Sequence, residues 1–180
     1  MQHPPEQLIG SRVRLRRTTP EDSEALFMIA SEPEVLRYMD WPTPSNLAEV
    51  ASRNEGEKTR WENGTEYKWI IQEKFSGAVV GTISFRPNGH AADFGYFLAR
   101  AYWGKGLAYD AGSLVVNWLR GQPDILRIWA TADAENFRSH RVLERLGLRC
   151  EGVMRMATYR PNIGGAPRDT TLYAWCKGDA

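Results

Sequence analysis

Two glycines one residue apart, Gly104 and Gly106 in "RAYWGKGLAYDAGSLVVNWLR", stand immediately before a long amphipathic run. Backbone N–H groups at a helix start are unpaired and the helix dipole is positive there, so such a position can bind an anion, phosphate above all. With no side chains at Gly104 and Gly106, a pyrophosphate can approach the amides of Trp103, Gly104, Lys105, Gly106, Leu107 and Ala108, and Lys105 adds positive charge at the rim. The same glycines also suit a tight strand-to-helix turn that binds nothing, and spacing alone does not separate the two readings. A dinucleotide fingerprint needs a third glycine where Tyr109 stands. A second group of chemistry-bearing residues lies in "NFRSHRVLERLG". Ser139 precedes Val142, Leu143 and Leu146 by three, four and seven residues, so its hydroxyl shares their inward helical face. There it either bonds the carbonyl one turn back or faces a site. Asn136 opens this helix as its cap and keeps an amide free for a ligand.

The elements that must position these groups follow from periodicity. Arg12 to Arg16 alternates apolar and basic residues as a short strand does, and Thr19 with Pro20 predicts the start of a helix reaching Ala30. "SEPEVLRYM" reads as a further short helix, broken by Pro42 and Pro44, which make Asp40 to Pro44 a loop. A polar helix runs from Ser45 to about Asn63, with Leu47, Val50 and Trp61 as its apolar members. Tyr67, Trp69 and Ile71 share one strand face, and Val79, Gly81, Ile83 and Phe85 share one face of the next, joined as a hairpin around "KFSG". After the turn "RPNGH", Phe94, Tyr96 and Leu98 alternate in a third antiparallel strand. Leu107, Ala111, Leu114, Val115 and Trp118 form the apolar stripe of a helix, and "ILRIWATA" returns as a strand. A strand–helix–strand unit of this length crosses over right-handedly, making the strands at Phe94 and Ile128 parallel. Gly147 stops the helix of Ser139, and strands around Leu148 to Thr158 and Thr170 to Cys176 flank the turn-rich "RPNIGGAPR".

Composition narrows the function classes. The length of 180 residues suits one domain spanning 1–180. With 23 basic and 22 acidic side chains the formal charge is +1, which argues against a general nucleic-acid binder. No apolar run approaches the roughly 20 residues of a membrane span, and "MQHPPEQLIG" lacks the order of a secretion signal, so the expected location is the cytoplasm. Cys150 and Cys176 show no CxxC spacing, and His3, His90 and His140 are scattered, so neither a disulfide framework nor a metal site is expected.

"DFGYFLARAYWGKGLAYDA" followed by "ATADAENFRSHRVLERLGLRCEGVMR" resembles the Gcn5-related N-acetyltransferases (GNAT superfamily), and most closely their ribosomal-protein-alanine N-acetyltransferase branch. The resemblance runs from "RVRLRRTTPEDSEAL" to "RDTTLYAW" and implies an α/β (α+β) mixed sheet whose two central parallel strands splay apart to admit a pantetheine arm. It implies acetyl-CoA as co-substrate, no metal, and an amine acceptor. Its coenzyme site falls on Trp103, Gly104, Lys105, Gly106, Leu107 and Ala108 for the pyrophosphate, on Asn136 and Ser139 for the pantetheine end, and on the strand residues Tyr96, Phe97 and Leu98. The backbone N–H groups near Tyr96 and Phe97 then bind the thioester carbonyl oxygen. Two positions depart from the broader superfamily. Ala101 replaces a Gln or Arg before the loop, and Leu143 replaces a tyrosine that protonates the leaving thiolate.

Transfer from a thioester to an amine requires a neutral amine, an oxyanion site and a proton for the leaving sulfur. No covalent enzyme intermediate is needed, so neither Cys150 nor Cys176 is assigned as a nucleophile. The matching serine of the resembled branch lies near the thioester sulfur, which makes Ser139 the implied acid. Asp93 is the implied base, with a solvated strand-end carboxylate as the other reading, and Glu24, Glu34 and Asp40 are alternative bases on the segments expected to wall the acceptor site. Trp41, Trp61, Trp69, Tyr38 and Tyr159 can line an acceptor pocket or simply pack, and the Tyr38 to Pro44 segment is the favoured wall. "RPNIGGAPR" is the expected lip, where Arg160 and Arg168 meet an acidic acceptor or solvent. The branch favours a protein N-terminal α-amine as acceptor. A polyamine, amino acid or antibiotic is the rival acceptor, and a non-catalytic acyl-CoA-binding sensor is the rival class, supported by Leu143. Exposed edge strands near the C-terminus would allow a homodimer.

Overall fold

The structure, a computed structural model, describes residues 1–179. Strands β1 (Gln7–Ile9) and β2 (Val13–Arg17) open the chain, and a 3-10 turn at Pro20–Asp22 leads into α1 (Ser23–Ala30). Helix α2 (Leu47–Glu62) precedes the meander β3 (Tyr67–Glu73), β4 (Val79–Asn88) and β5 (Ala91–Leu98). Then follow α3 (Leu107–Arg120), β6 (Arg127–Asp133), α4 (Phe137–Arg145), β7 (Arg149–Thr158) and β8 (Arg168–Cys176). The strands form one eight-stranded mixed sheet in the order β1-β2-β3-β4-β5-β6-β8-β7. Helices α3 and α4 pack on the face of Trp69, Ile83, Phe85 and Phe94, while α1 and α2 pack on the face of Ile70 and Phe97. Among the described residues no helix is long and apolar enough to cross a membrane.

The parallel pair required by the crossover is present and short. Strands β5 and β6 pair only where Ala91, Ala92 and Asp93 meet Arg127, Ile128 and Trp129. Beyond that point β5 stays with β4 as far as Leu98, and β6 stays with β8 as far as Asp133. The two central strands therefore diverge as a V, and the site is built around its open end.

Five expectations change. Ser31 to Met39 is not a helix: single turns close from Val35 N–H to Glu32 O and from Met39 N–H to Leu36 O, and Val35 and Leu36 are buried beside Ala99. The short apolar pair is spent on covering the end of β5, which a regular helix of that length would not reach. Strand β1 adds an edge ahead of β2, too short at "QLI" to show a period. The alternation of β4 slips, because a bulge lets Ile71 face Gly81 while Gln72 faces Val79. Val80, not Val79, joins Ile83 and Phe85 in the main core. In α3 the buried stripe is Leu107, Ala111, Val115, Val116 and Leu119, rotated from the expected Leu114 and Trp118, which are only half-buried. Of the two C-terminal strands only β7 is an edge. Its pairing slips between Met154 and Thr158, and Met156 has φ 47°, so the edge is bent and blunted.

Candidate active site

Two cavities flank the V, one on each face of the sheet. The cavity on the α3/α4 side has a volume of about 550 Å³ and the one on the α1/α2 side about 590 Å³. Phe94, Gly95, Tyr96, Phe97, Ala130 and Thr131 line both, so the cavities meet in the gap between the diverging strands. A group passing through that gap can be reached from both faces at once.

The α3/α4-side cavity gathers most of the residues singled out from sequence. Tyr96, Phe97, Leu98, Trp103, Gly104, Gly106, Leu107, Ala108, Asn136 and Ser139 all line it. Gly104 and Gly106 have φ 74° and 79°, the left-handed region that favours glycine, and a Cβ on Gly104 would meet nothing within 4 Å. Among the described residues no backbone N–H from Gly104 to Tyr109 finds an acceptor, so the loop and the first turn of α3 present a row of free donors to open space. An anion fits this cradle. Lys105 does not line the cavity; it is exposed, with its ammonium 5.0 Å from the Tyr102 ring centroid. The helix is pinned from behind. The Asp110 carboxylate accepts from the backbone N–H groups of Arg12 at 2.7 Å and Val13 at 3.0 Å, and from the Ser11 hydroxyl at 3.0 Å.

Three arginines complete the cavity and were not read from sequence. Arg138, Arg141 and Arg145 line it from α4, with Arg138 4.8 Å from the Trp103 ring centroid and Arg145 4.2 Å from that of Tyr109. Their spacing of three and four places them on one helical face beside Ser139, which is the signal that would have found them. Asn136 caps α4, its side chain accepting from the Ser139 N–H at 3.2 Å. The Ser139 hydroxyl lies 3.3 Å from that of Tyr96. Burial pushes the Tyr96 phenol up to about 12, against the smaller opposing effect of the hydrogen bond to Ser139. Leu143, where the superfamily tyrosine would be, is buried in the core.

The strand amides in the gap are selected by the ladder. Ala99 donates its N–H to Val80 O at 2.8 Å, and alternation along β5 turns the Phe97 N–H the same way, toward β4. The N–H groups of Tyr96 and Leu98 therefore face the gap.

The α1/α2-side cavity is walled by charge. Lys68 donates to Glu57 at 3.0 Å, Arg60 pairs with Glu57 at 2.8 Å and with Glu66 at 3.4 Å, and Ser84 donates to Glu66 at 2.9 Å. Asp93 also lines this cavity, but its carboxylate is engaged by Arg86, the residue opposite it on β4, through Nε at 3.0 Å and through the second guanidinium nitrogen. Tyr38, Asp40, Trp41 and Pro44 form the wall expected of the 38–44 segment. Trp61 and Trp69 are core residues packed edge to face at 5.0 Å, Tyr159 is exposed outside the cavity, and Glu24 is exposed away from it. Glu34 is paired with Arg100 at 2.7 Å. The 160–168 loop is fastened to the 36–43 segment through Asn162, which donates to Leu36 O at 2.6 Å and Trp41 O at 3.0 Å and accepts from Thr43 N–H at 2.8 Å, and Arg160 of the loop lines the cavity. Behind the loop, Asp133 takes both Arg168 and Arg160. Among the described residues no group of three or more His, Cys, Asp or Glu is placed to hold a metal ion.

Comparison with known proteins matches this geometry. The acetyltransferase (GNAT) domain family matches residues 12–149. An uncharacterised N-acetyltransferase of Bacillus subtilis, YoaA, is 28% identical over 169 residues, covering 92% of this chain and 94% of that protein. The microcin C7 self-immunity acetyltransferase MccE, solved with acetyl-CoA and AMP, superposes with a TM-score of 0.85 at 21% identity, covering 97% of this chain and 98% of that one. RimL, a ribosomal L7/L12 α-N-protein acetyltransferase solved with coenzyme A, superposes with a TM-score of 0.82 at 20% identity, covering 94% and 96%. With a family match across more than half its length and the splayed sheet in place, the chain belongs to the GNAT acetyltransferases, and its chemistry is N-acetyl transfer.

Proposed function

We propose that acetyl-CoA occupies the α3/α4-side cavity and that a polypeptide N-terminal α-amine approaches it from the α1/α2 side. The observation that carries this reading is that the two cavities share the residues of the gap between β5 and β6, together with Tyr38 and Met39, and that Ser139 lines one cavity and Asp93 the other. The free amides of Gly104 to Ala108 hold the pyrophosphate, Arg138, Arg141 and Arg145 balance the remaining phosphate charge, and Asn136 orients the pantetheine arm. The bound coenzyme supplies the acetyl thioester. The Tyr96 N–H, facing the gap, donates to the carbonyl oxygen as charge grows there, and Ser139 provides the proton for the sulfur.

The surroundings of Asp93 favour one class of acceptor. One of its carboxylate oxygens, Oδ2, is occupied by two nitrogens of Arg86, and an acceptor amine that is already neutral asks least of it. An α-amine with a pKa of about 7.7–8.0 is roughly a quarter or more neutral near pH 7.5 and needs little help, whereas a lysine or polyamine amine near 10.4 is about one part in a thousand neutral. Asp93 in this reading receives the released proton through water.

The test is thiol release from acetyl-CoA with three acceptors: a peptide with a free N-terminus, the same peptide N-acetylated but containing lysine, and a polyamine. We expect release with the first alone. Faster release with the polyamine moves the acceptor to the small-molecule class, and saturable acetyl-CoA binding without release from any amine favours the sensor. The coenzyme half of the reading is tested by Gly104→Val. A Cβ there meets no protein atom within 4 Å, so the main cost to folding is the left-handed backbone, about 1–2 kcal/mol, while the added atoms enter the cradle. The acetyl-CoA Kd measured by calorimetry should rise about ten-fold or more, corresponding to roughly 1.4 kcal/mol. An unchanged Kd would mean that the glycines only turn a corner.

A further inference from the structure

We infer that Tyr96 is a positioning residue whose phenol donates to the Ser139 oxygen and so leaves the serine proton free to point at the leaving sulfur. The inference rests on the reading of Ser139 as the acid. It starts from a contrast within the chain. Ser23 and Ser31 spend their hydroxyls on carbonyls one turn back, Ser23 on Pro20 O at 2.6 Å and Ser31 on Phe27 O at 2.7 Å, the common fate of a serine near a helix terminus. Ser139 does not. Among the described residues its hydroxyl has one partner, the Tyr96 hydroxyl at 3.3 Å.

The direction of that bond decides what Ser139 can do. A serine hydroxyl has one proton and two lone pairs, so accepting from Tyr96 leaves the proton available, whereas donating to Tyr96 consumes it. Tyr96, half-buried at the cavity wall, has no other acceptor among the described residues, and an O–H shielded from water without one is costly. Burial also keeps the phenol protonated up to about 12, so it remains a donor throughout the working pH range. When sulfur becomes anionic, the chain from Tyr96 through Ser139 to sulfur is aligned donor to acceptor, and each bond strengthens the next. Tyr96 lies on β5 and Ser139 on α4, so the bond also fixes the helix against the strand at the open end of the V.

The step balances without any further reagent. The nitrogen lone pair forms the C–N bond and the C–S bond breaks with its pair on sulfur. Sulfur takes the Ser139 proton as the serine oxygen regains one from cavity water in the same step, so no free alkoxide forms, and the nitrogen gives one up through water to Asp93. Tyr96 keeps its own proton throughout. With Leu143 in place of the superfamily tyrosine, the aromatic hydroxyl near the sulfur comes from the strand instead of the helix, and it acts through serine.

The experiment is a double-mutant cycle on the whole chain: wild type, Tyr96→Phe, Ser139→Ala and the double variant. For each, kcat is measured with acetyl-CoA and whichever amine the wild type acetylates, together with Kd for coenzyme A and the melting temperature. General acid contributions of about 10²–10⁴ set the scale. Ser139→Ala should lower kcat about 100-fold and Tyr96→Phe about ten-fold, with the double variant no slower than Ser139→Ala. Coenzyme Kd should stay within about two-fold in all four. A double variant slowed by the product of the two single effects overturns the coupling, because Tyr96 then acts without Ser139. Unchanged kcat in Tyr96→Phe, or a loss matched by an equally weakened Kd, overturns it as well. Wild-type speed in Ser139→Ala overturns the acid assignment along with the inference, and a wild type that prefers a lysine or polyamine amine overturns only the acceptor assigned above.

Discussion

Gly81→Ala is expected to be the most disruptive single-methyl change in the chain. Gly81 sits at the bulge of β4, opposite Leu98, where β5 leaves its last contacts in the sheet. A Cβ at Gly81 would overlap the Phe97 carbonyl oxygen and come within 2.9 Å of the Leu98 Cα, so the obstacle is backbone on both counts. No rotamer change relieves it. The strand would have to move away from β4, and the strand is the one that carries Tyr96 and the amides facing the gap. Losses above about 4 kcal/mol are reserved for failures of this kind. At roughly 2–4 °C per kcal/mol for a chain of this size, the melting temperature should fall by about 8–16 °C, and kcat should fall with it at temperatures where the variant remains folded. A fall of under about 3 °C in a thermal melt would show that β5 yields easily, and that the opening of the V does not depend on close contact at this point.

The same position shows where sequence reasoning stops. An isolated glycine in a strand signals a bulge or a close backbone approach, yet nothing local says which residue becomes the extra one. Val79 and Val80 are chemically equivalent, and only the pairing of Ile71 with Gly81 decides that Val80 faces the main core. Where one face is buried against a long partner, the pattern was sufficient: Tyr67, Trp69 and Ile71 on β3, and Phe94, Tyr96 and Leu98 on β5, turn to the main core as their alternation requires. The loop of Gly104 and Gly106 was legible for the same reason, because backbone conformation and an amphipathic helix start are both local properties. The contacts that join the residues of the candidate site are not local. Tyr96 and Ser139 are 43 residues apart, and Asn162 reaches Leu36 across 126. Asp93 was legible as a carboxylate at the head of a central strand, whereas its pairing with Arg86 depends on a hairpin register that two-residue periodicity leaves open.

Asp133→Ala should bring the second large loss, through charge instead of shape. The Asp133 side chain is fully buried and accepts from Arg168 Nε at 2.8 Å, from a second Arg168 nitrogen at 3.0 Å and from the Glu135 N–H at 3.1 Å, with Arg160 Nε at 3.5 Å. Removing the carboxylate leaves the buried Arg160 guanidinium without its counter-charge, a change that typically costs about 3–5 kcal/mol, or roughly 6–20 °C in melting temperature. Burial by itself would raise the Asp133 carboxyl, but the Arg168 hydrogen bonds, the Glu135 N–H and the two arginine charges hold it below its ordinary value. A depressed carboxyl stabilises the fold above the unfolded pKa of about 3.9, and that contribution is lost as pH falls through the lower folded value. The stability gap between wild type and Asp133→Ala, measured by urea melts, should therefore be constant near neutral pH and close progressively below about pH 4. A gap that persists undiminished into strong acid would assign the loss to the cavity left behind and not to the ion cluster. Because the Asp133 carbonyl also accepts from the Asn136 N–H at 2.8 Å and lies 3.0 Å from His140 Nε2, the residue joins the 160–168 lip to the start of α4. The 160–168 loop and the helix that carries Ser139 thus share one buried residue as their anchor, the loop through its carboxylate and the helix through its carbonyl.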